Sequence, residues 1–205
     1  GVDSDSVLVQ STSASSGAYN TIFGKNAGDS IARGGDYNTL FGEDAGTAIT
    51  TGDQKTIIGY DAGQAITIAT LNTAIGTNAL RTNIDGNYNT AVGAQAMYTF
   101  EADSGVTLDG HNTVMGYNSG YAMTTGYQNV LLGSLSGLDL TTGNKNVALG
   151  YRAAYNVTTG VQNVIIGTNA LFTANGSETG NTAVGDAALY SLDNDGNNYN
   201  VAIGK

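Results

Sequence analysis

Apolar and polar positions alternate over short stretches that return at a near-constant interval. Each stretch reads Asn, then Thr or Val, two apolar residues, then Gly. The closing glycines are Gly24, Gly42, Gly59, Gly76, Gly93, Gly116, Gly133, Gly150, Gly167, Gly185 and Gly204. Their spacings are 18, 17, 17, 17, 23, 17, 17, 17, 18 and 19 residues. The opening residues are Asn20, Asn38, Asn72, Asn89, Asn112, Asn129, Asn146, Asn163, Asn181 and Asn200, with Lys55 in the remaining copy. The position before Gly is always apolar: Phe23, Phe41, Ile58, Ile75, Val92, Met115, Leu132, Leu149, Ile166, Val184 and Ile203. Two residues before Gly stand Ile22, Leu40, Ile57, Val114, Leu131 and Ile165, or alanine at 74, 91, 148, 183 and 202. Three residues after each Gly, except the last, comes Ala or Ser, and several copies close on Thr-Thr-Gly, as at 124–126, 141–143 and 158–160.

A period of 17 is too short for a two-helix repeat, which needs about 33 residues. Frequent Gly, β-branched Thr and turn-forming Asn also disfavour helix. Alternation over four or five residues predicts a short, half-buried strand. Glycines at fixed points predict corners. Strand, corner, second short strand and corner make one coil of an all-β, parallel β-solenoid with about 17 residues per coil. Stacked at about 4.8 Å, the eleven coils predict a rod of roughly 50 Å. Residues 20–205 form this array. Residues 1–19 read as a degenerate first coil, with a worn copy of the motif at Ser6–Val9.

Stacking gives each column a role. The Asn column predicts a ladder of side-chain amides running from coil to coil. The residue before Gly is expected to form a buried stripe, and the small Ala/Ser column lets the opposite wall come close. Neighbouring strand residues face opposite ways. The Ile/Leu/Val/Ala column two residues before Gly is therefore expected outside, as an apolar stripe. Such a stripe marks an interface, so the chain is expected to associate with itself along the rod axis. The chain starts in a partial repeat and stops one residue after Gly204, and so reads as a stretch of a longer fibre or as a unit stacked end to end.

Composition narrows the classes. Seven basic against 17 acidic residues give a net charge of −10. That balance disfavours nucleic acid, which is bound through clustered Lys and Arg. It equally disfavours anionic membrane surfaces. No apolar run is long enough to cross a bilayer. Cysteine is absent and histidine occurs once, which leaves little equipment for catalysis or metal binding. Proline is absent, as stacked strands require. No cofactor is expected.

The patterns Asn-Thr-Ala-Val-Gly-x-x-Ala at 89–96 and 181–188 and Asn-Val-Ala-Ile-Gly at 200–204 resemble the head repeats of trimeric autotransporter adhesins. They are at least as similar to the repeat regions of phage tail-fibre proteins and related bacterial adhesive fibres. The resemblance covers roughly residues 6–205. It implies a left-handed parallel β-roll, three parallel chains side by side and a role in surface attachment. The autotransporter coils are shorter than the 17 residues found here, which favours the fibre-protein branch.

Candidate chemistry is sparse. The longest departure from the period, 99–111, is six residues over the norm. It is a candidate recognition loop carrying Glu101, Asp103, Asp109 and His111. The simpler reading is a tolerated surface insertion. His111 beside Asp109 is a weak metal or titration site, and a solvated histidine is the plainer account. Asp193 and Asp195 open a calcium-loop-like stretch, but Ala202 stands where the bidentate Glu belongs, so an Asx-rich turn is preferred. Ser119 and Ser136 lie one place late for a nucleophile elbow and occupy the Ala column, a packing position. Tyr60, Tyr117 and Tyr151 follow the motif Gly, and Tyr19, Tyr37, Tyr88 and Tyr199 precede the motif Asn. Such columns stack on sugars or, more simply, on one another.

These readings converge on a non-enzymatic structural segment of an extracellular or virion fibre, with itself as partner and a cell-surface glycan or protein as a possible receptor. A polysaccharide-binding or -cleaving tailspike is one alternative. It would need two carboxylates about 5–10 Å apart on one wall. Asp44 and Asp61 share a column, but its other members include Asn26, Asn78 and Asn118, which reads as turn usage. A bacterial surface adhesin or self-assembling filament is the second. Ice binding is disfavoured, because Val replaces the first Thr of the motif at 130, 147, 164 and 201.

Overall fold

The structure is a computed structural model of the 205-residue chain and describes residues 17–101, 109–173, 176–192 and 199–205. Ser6–Val9, Asp103, Asp193 and Asp195 lie outside the described residues. The strands are β1 (Thr21–Phe23), β2 (Thr39–Phe41), β3 (Thr56–Ile58), β4 (Thr73–Ile75), β5 (Thr90–Val92), β6 (Thr113–Met115), β7 (Val130–Leu132), β8 (Val147–Leu149), β9 (Val164–Ile166), β10 (Thr182–Val184) and β11 (Val201–Ile203). They form one parallel sheet in sequence order. Equivalent motif positions pair throughout, as Thr73 with Thr90 and Ile75 with Val92. The fold is a β-solenoid of about 17 residues per turn.

Only one strand per coil is present among the described residues; the expected second strand is replaced by turns. The residues two and four places after the motif Gly adopt positive φ, as Asn78 at 57° and Leu80 at 51°. A run broken by left-handed residues cannot stay extended. Inter-coil hydrogen bonds continue through the turns nonetheless, as from Gly46 N–H to the Ala62 carbonyl at 3.0 Å and from Thr50 N–H to the Thr67 carbonyl at 3.0 Å.

The motif glycine is fixed by proximity as well as by φ. Gly59 has φ 138°, and a Cβ there would lie 2.6 Å from the Gly76 carbonyl oxygen. The same column stacks backbone on backbone along the rod, and a side chain would wedge the coils apart.

The interior inverts one expectation. The column two residues before Gly is buried, Ile22, Leu40, Ile57, Ala74 and Val114 among it, while the column immediately before Gly faces outward. The cause is parity. The motif Asn is buried, and two residues on along a strand the chain returns to the same face. Two further inward columns complete the core, four and seven residues after Gly. They compensate one another in volume. Where Leu40 or Ile57 fills the coil, the fourth position is Gly46 or Gly63, and Ile49 or Ile66 closes the seventh. Where Ala74 or Ala91 leaves room, Leu80 or Met97 takes the fourth position despite its positive φ. A Cβ at Gly46 would lie 2.6 Å from an Ile49 methyl and 3.2 Å from a Leu40 methyl. From β1 to β7 the fourth position is Gly where the strand residue is large and Leu or Met where it is alanine; the β8 coil, with Ala148 and Ala154, and the β9 coil, with Ile165 and Leu171, depart from this exchange.

Candidate functional site

The Asn column is the structural spine. Each amide oxygen accepts the backbone N–H of the next coil's Asn, as Asn163 N–H to Asn146 Oδ1 at 3.0 Å. Most amide nitrogens also donate to a corner carbonyl of the next coil, as Asn146 Nδ2 to the Gly160 carbonyl at 2.8 Å, whereas Asn89 Nδ2 donates to the Asn87 carbonyl at 2.9 Å. Direct amide-to-amide bonds join Asn89, Asn112, Asn129, Asn146, Asn163, Asn181 and Asn200 in sequence, at 2.9–3.3 Å. The expected ladder is therefore present, with backbone groups as additional partners. Lys55 interrupts it: its side chain is buried and Nζ has no hydrogen-bond partner.

The outward strand face carries two columns. One is Thr in the first six strands and in β10, and Val in β7, β8, β9 and β11. The other is the all-apolar column before Gly, half-buried to exposed over its length. Phe41 is 51% and Met115 49% accessible, and Phe23 stacks on Phe41 at 4.6 Å. Tyr60, Tyr117 and Tyr151 stand beside this stripe, all exposed. The outward stripe anticipated from the alternation exists, but it is the bulkier of the two columns. The sequence carried the information to choose: the buried Asn sets the phase.

Other aromatic rings stack on each other. Tyr19 lies on Tyr37 at 4.9 Å, Tyr98 on Tyr121 at 5.1 Å, and Phe172 between Tyr155 and Tyr190 at 5.0 and 5.2 Å. Phe172 is covered on both faces, and the other rings stack on one neighbour each, which links adjacent coils. Arg152 lies 4.9 Å from the Tyr151 ring and 5.6 Å from the Tyr155 ring.

The candidate recognition residues lie at one corner. Phe100 and Asn112 keep their inward columns, so the extra residues of this coil fall between them. Glu101, Asp109 and His111 are exposed there. His111 stacks on Tyr88 at 4.8 Å, with Nε2 3.9 Å from the Asp109 carboxylate. It thereby continues the column that Tyr88 belongs to. Among the described residues no group of three or more His, Asp or Glu side chains is placed to hold a metal ion.

Asp44 and Asp61 face partners of their own. Asn26 Nδ2 donates to Asp44 at 2.9 Å, and Gln64 Nε2 donates to Asp61 at 3.0 Å with Arg81 3.5 Å away. Ser119 and Ser136 are buried, and their hydroxyls donate to the Leu131 and Ala148 carbonyls at 3.3 and 3.1 Å. They are packing residues, as the column predicts. What sequence reasoning missed is the pair of inward columns four and seven after Gly and the isolation of the Lys55 amine. The alternation of Gly with Leu or Met at the fourth position was the available signal. Compared with protein-family models, curated proteins and solved structures, the chain matches none.

Proposed function

We propose that this chain forms the shaft of an extracellular or virion fibre, of the phage tail-fibre or adhesin kind, and that its outward strand face is buried against copies of itself in a parallel homotrimer. The observation that supports the reading is the continuous apolar column before Gly, flanked by Thr and Val, along all eleven strands. At about 4.8 Å per strand this face is about 48 Å long and, two side chains wide, of the order of 500 Å². A specific interface takes about 800 Å² per partner. The neighbouring row with Tyr60, Tyr117 and Tyr151 supplies the rest. The ladders stiffen the shaft, and the corner of Glu101, Asp109 and His111 stays on its periphery to meet a receptor.

Light scattering tests the reading. A species near three times 20.8 kDa that persists in mild detergent is expected, and Leu132→Lys, an outward substitution, should reduce it to single chains with an intact fold. A wild-type chain that remains monomeric at high concentration would sink the proposal.

A further inference from the structure

The Asn ladder fails at one junction. Lys55 replaces Asn before β3, so Asn72 N–H loses the amide oxygen that every other junction supplies, and the Ala69 carbonyl loses the amide nitrogen that most of them supply. The backbone registers the loss. The hydrogen bond from the first strand residue to the next coil is 2.8 Å at nine junctions and 3.1 Å from Thr56 to Asn72. The Lys55 side chain is 1% accessible, and its Nζ sits inside the coil close to Gly52 without a hydrogen-bond partner. A buried ammonium with no acceptor is costly; a buried neutral amine is much less so.

We propose that the β3–β4 junction is a pH-sensitive seam, at which the coils of β1 to β3 separate from those of β4 onward when Lys55 takes up a proton. Burial pulls the Lys55 amine down to about 8, against the smaller opposing pull of Asp53. The groups that face it are few. Asp53 lies on its own coil, and the preceding coil carries Asp36, whose N–H donates to the Asp53 carboxylate at 2.9 Å. The following coil presents Ala69, Thr70, Leu71 and Asn72, none of them titratable. Opening the seam exposes the amine and restores its ordinary affinity for a proton. The open form is therefore favoured at lower pH, and the bias fades as pH rises from about 8 towards 10.5.

Hydrogen exchange measures this within one sample. The protection of residues 17–58 is compared with that of residues 147–166, so that the intrinsic pH dependence of exchange cancels. Between pH 7 and 9.5 the ratio should rise about thirtyfold. Lys55→Met removes the proton site and should make the ratio flat. Lys55→Asn rebuilds the rung and should bring the two regions level at both pH values. A wild-type ratio that moves less than threefold, or a Lys55→Met variant with the same pH dependence, would overturn the proposal. The seam lies inside the coil, so the outcome does not depend on self-association.

Discussion

The β3–β4 and β8–β9 junctions share one strand register and differ in what the Asn column gives them. Both pair three residues in parallel register. At β8–β9, Asn146 accepts from Asn163 N–H and Nδ2 at 3.0 and 2.9 Å and donates to Gly160 at 2.8 Å. At β3–β4 all three bonds are missing and a lysine amine occupies the space. Strand pairing is thus sufficient for register, and the Asn column adds to the cohesion that the turn hydrogen bonds between coils already give. In a solenoid each coil meets only its neighbours, so a weak junction is not averaged away by the rest of the molecule.

The strongest way to break the contrast is to move the fault. Asn146→Lys should strip the three ladder bonds from β8–β9 and bury an amine there. Each lost bond with a stranded buried partner costs about 1–3 kcal/mol, so a total of roughly 4–6 kcal/mol is expected. Denaturant unfolding should show it as a large fall in midpoint or as a new, separate transition for the coils on one side. A loss below about 1 kcal/mol would mean that the ladder is incidental to cohesion.

The reverse exchange should be smaller. Lys55→Asn is expected to stabilise by about 3–4 kcal/mol near neutral pH. One part comes from the rebuilt bonds and the other from removing a lysine whose amine is held near 8 instead of 10.5. The sign follows from linkage. Above about 8 the folded chain has lost a proton that the unfolded chain keeps up to 10.5, so wild-type stability should rise with pH across that window. Thermal melts at pH 7.5 and 9.5 should converge with those of the variant at the higher pH. A wild-type melting temperature with no more dependence than the variant's would remove Lys55 as the source.

A further contrast between regions lies in the core, and the net effect of exchanging it should be smaller again. The β2 coil places its bulk at Leu40 with Gly46; the β4 coil places it at Leu80 with Ala74. Gly46→Leu alone should overpack, at about 1–3 kcal/mol. Leu40→Ala alone should leave a cavity, at about 2–5 kcal/mol. The double variant copies the β4 arrangement and should recover most of both, apart from about 1 kcal/mol for a leucine at positive φ. A double-mutant cycle with no coupling would show that the four inward columns do not share one volume.

How much of this was legible is uneven for physical reasons. The period, the parallel stacking and the Asn ladder follow from spacing alone, because stacked coils repeat identical positions. The direction of Ile22 and Phe23 was readable too, but only by anchoring the phase on a buried Asn rather than on hydrophobicity, since both residues are apolar. The absence of the second strand is not legible, because left-handed residues such as Asn78, Leu80 and Met97 include types that rarely adopt positive φ. The volume exchange with Ala74 and Ala91 accounts for Leu80 and Met97. The corner site was legible as an insertion and no further, because a lone exposed histidine with one carboxylate neighbour specifies no chemistry.

The smallest effect belongs to the outward face, where the comparison sharpens into one between folding and assembly. Val164 is 38% accessible on the column that is Thr in six earlier strands. Val164→Thr keeps the β-branched shape and removes little from the interior, so the unfolding free energy of a dissociated chain should change by no more than about 0.5 kcal/mol. The same substitution at an associated face buries a hydroxyl, which costs about 1–3 kcal/mol unless a partner accepts from it. Unfolding at low concentration and light scattering at high concentration should therefore respond differently to the one change. Equal insensitivity of both would place this column on open surface. A marked loss in the dissociated chain would instead mean that the column supports the coil itself, and that the interior is not confined to the four buried columns.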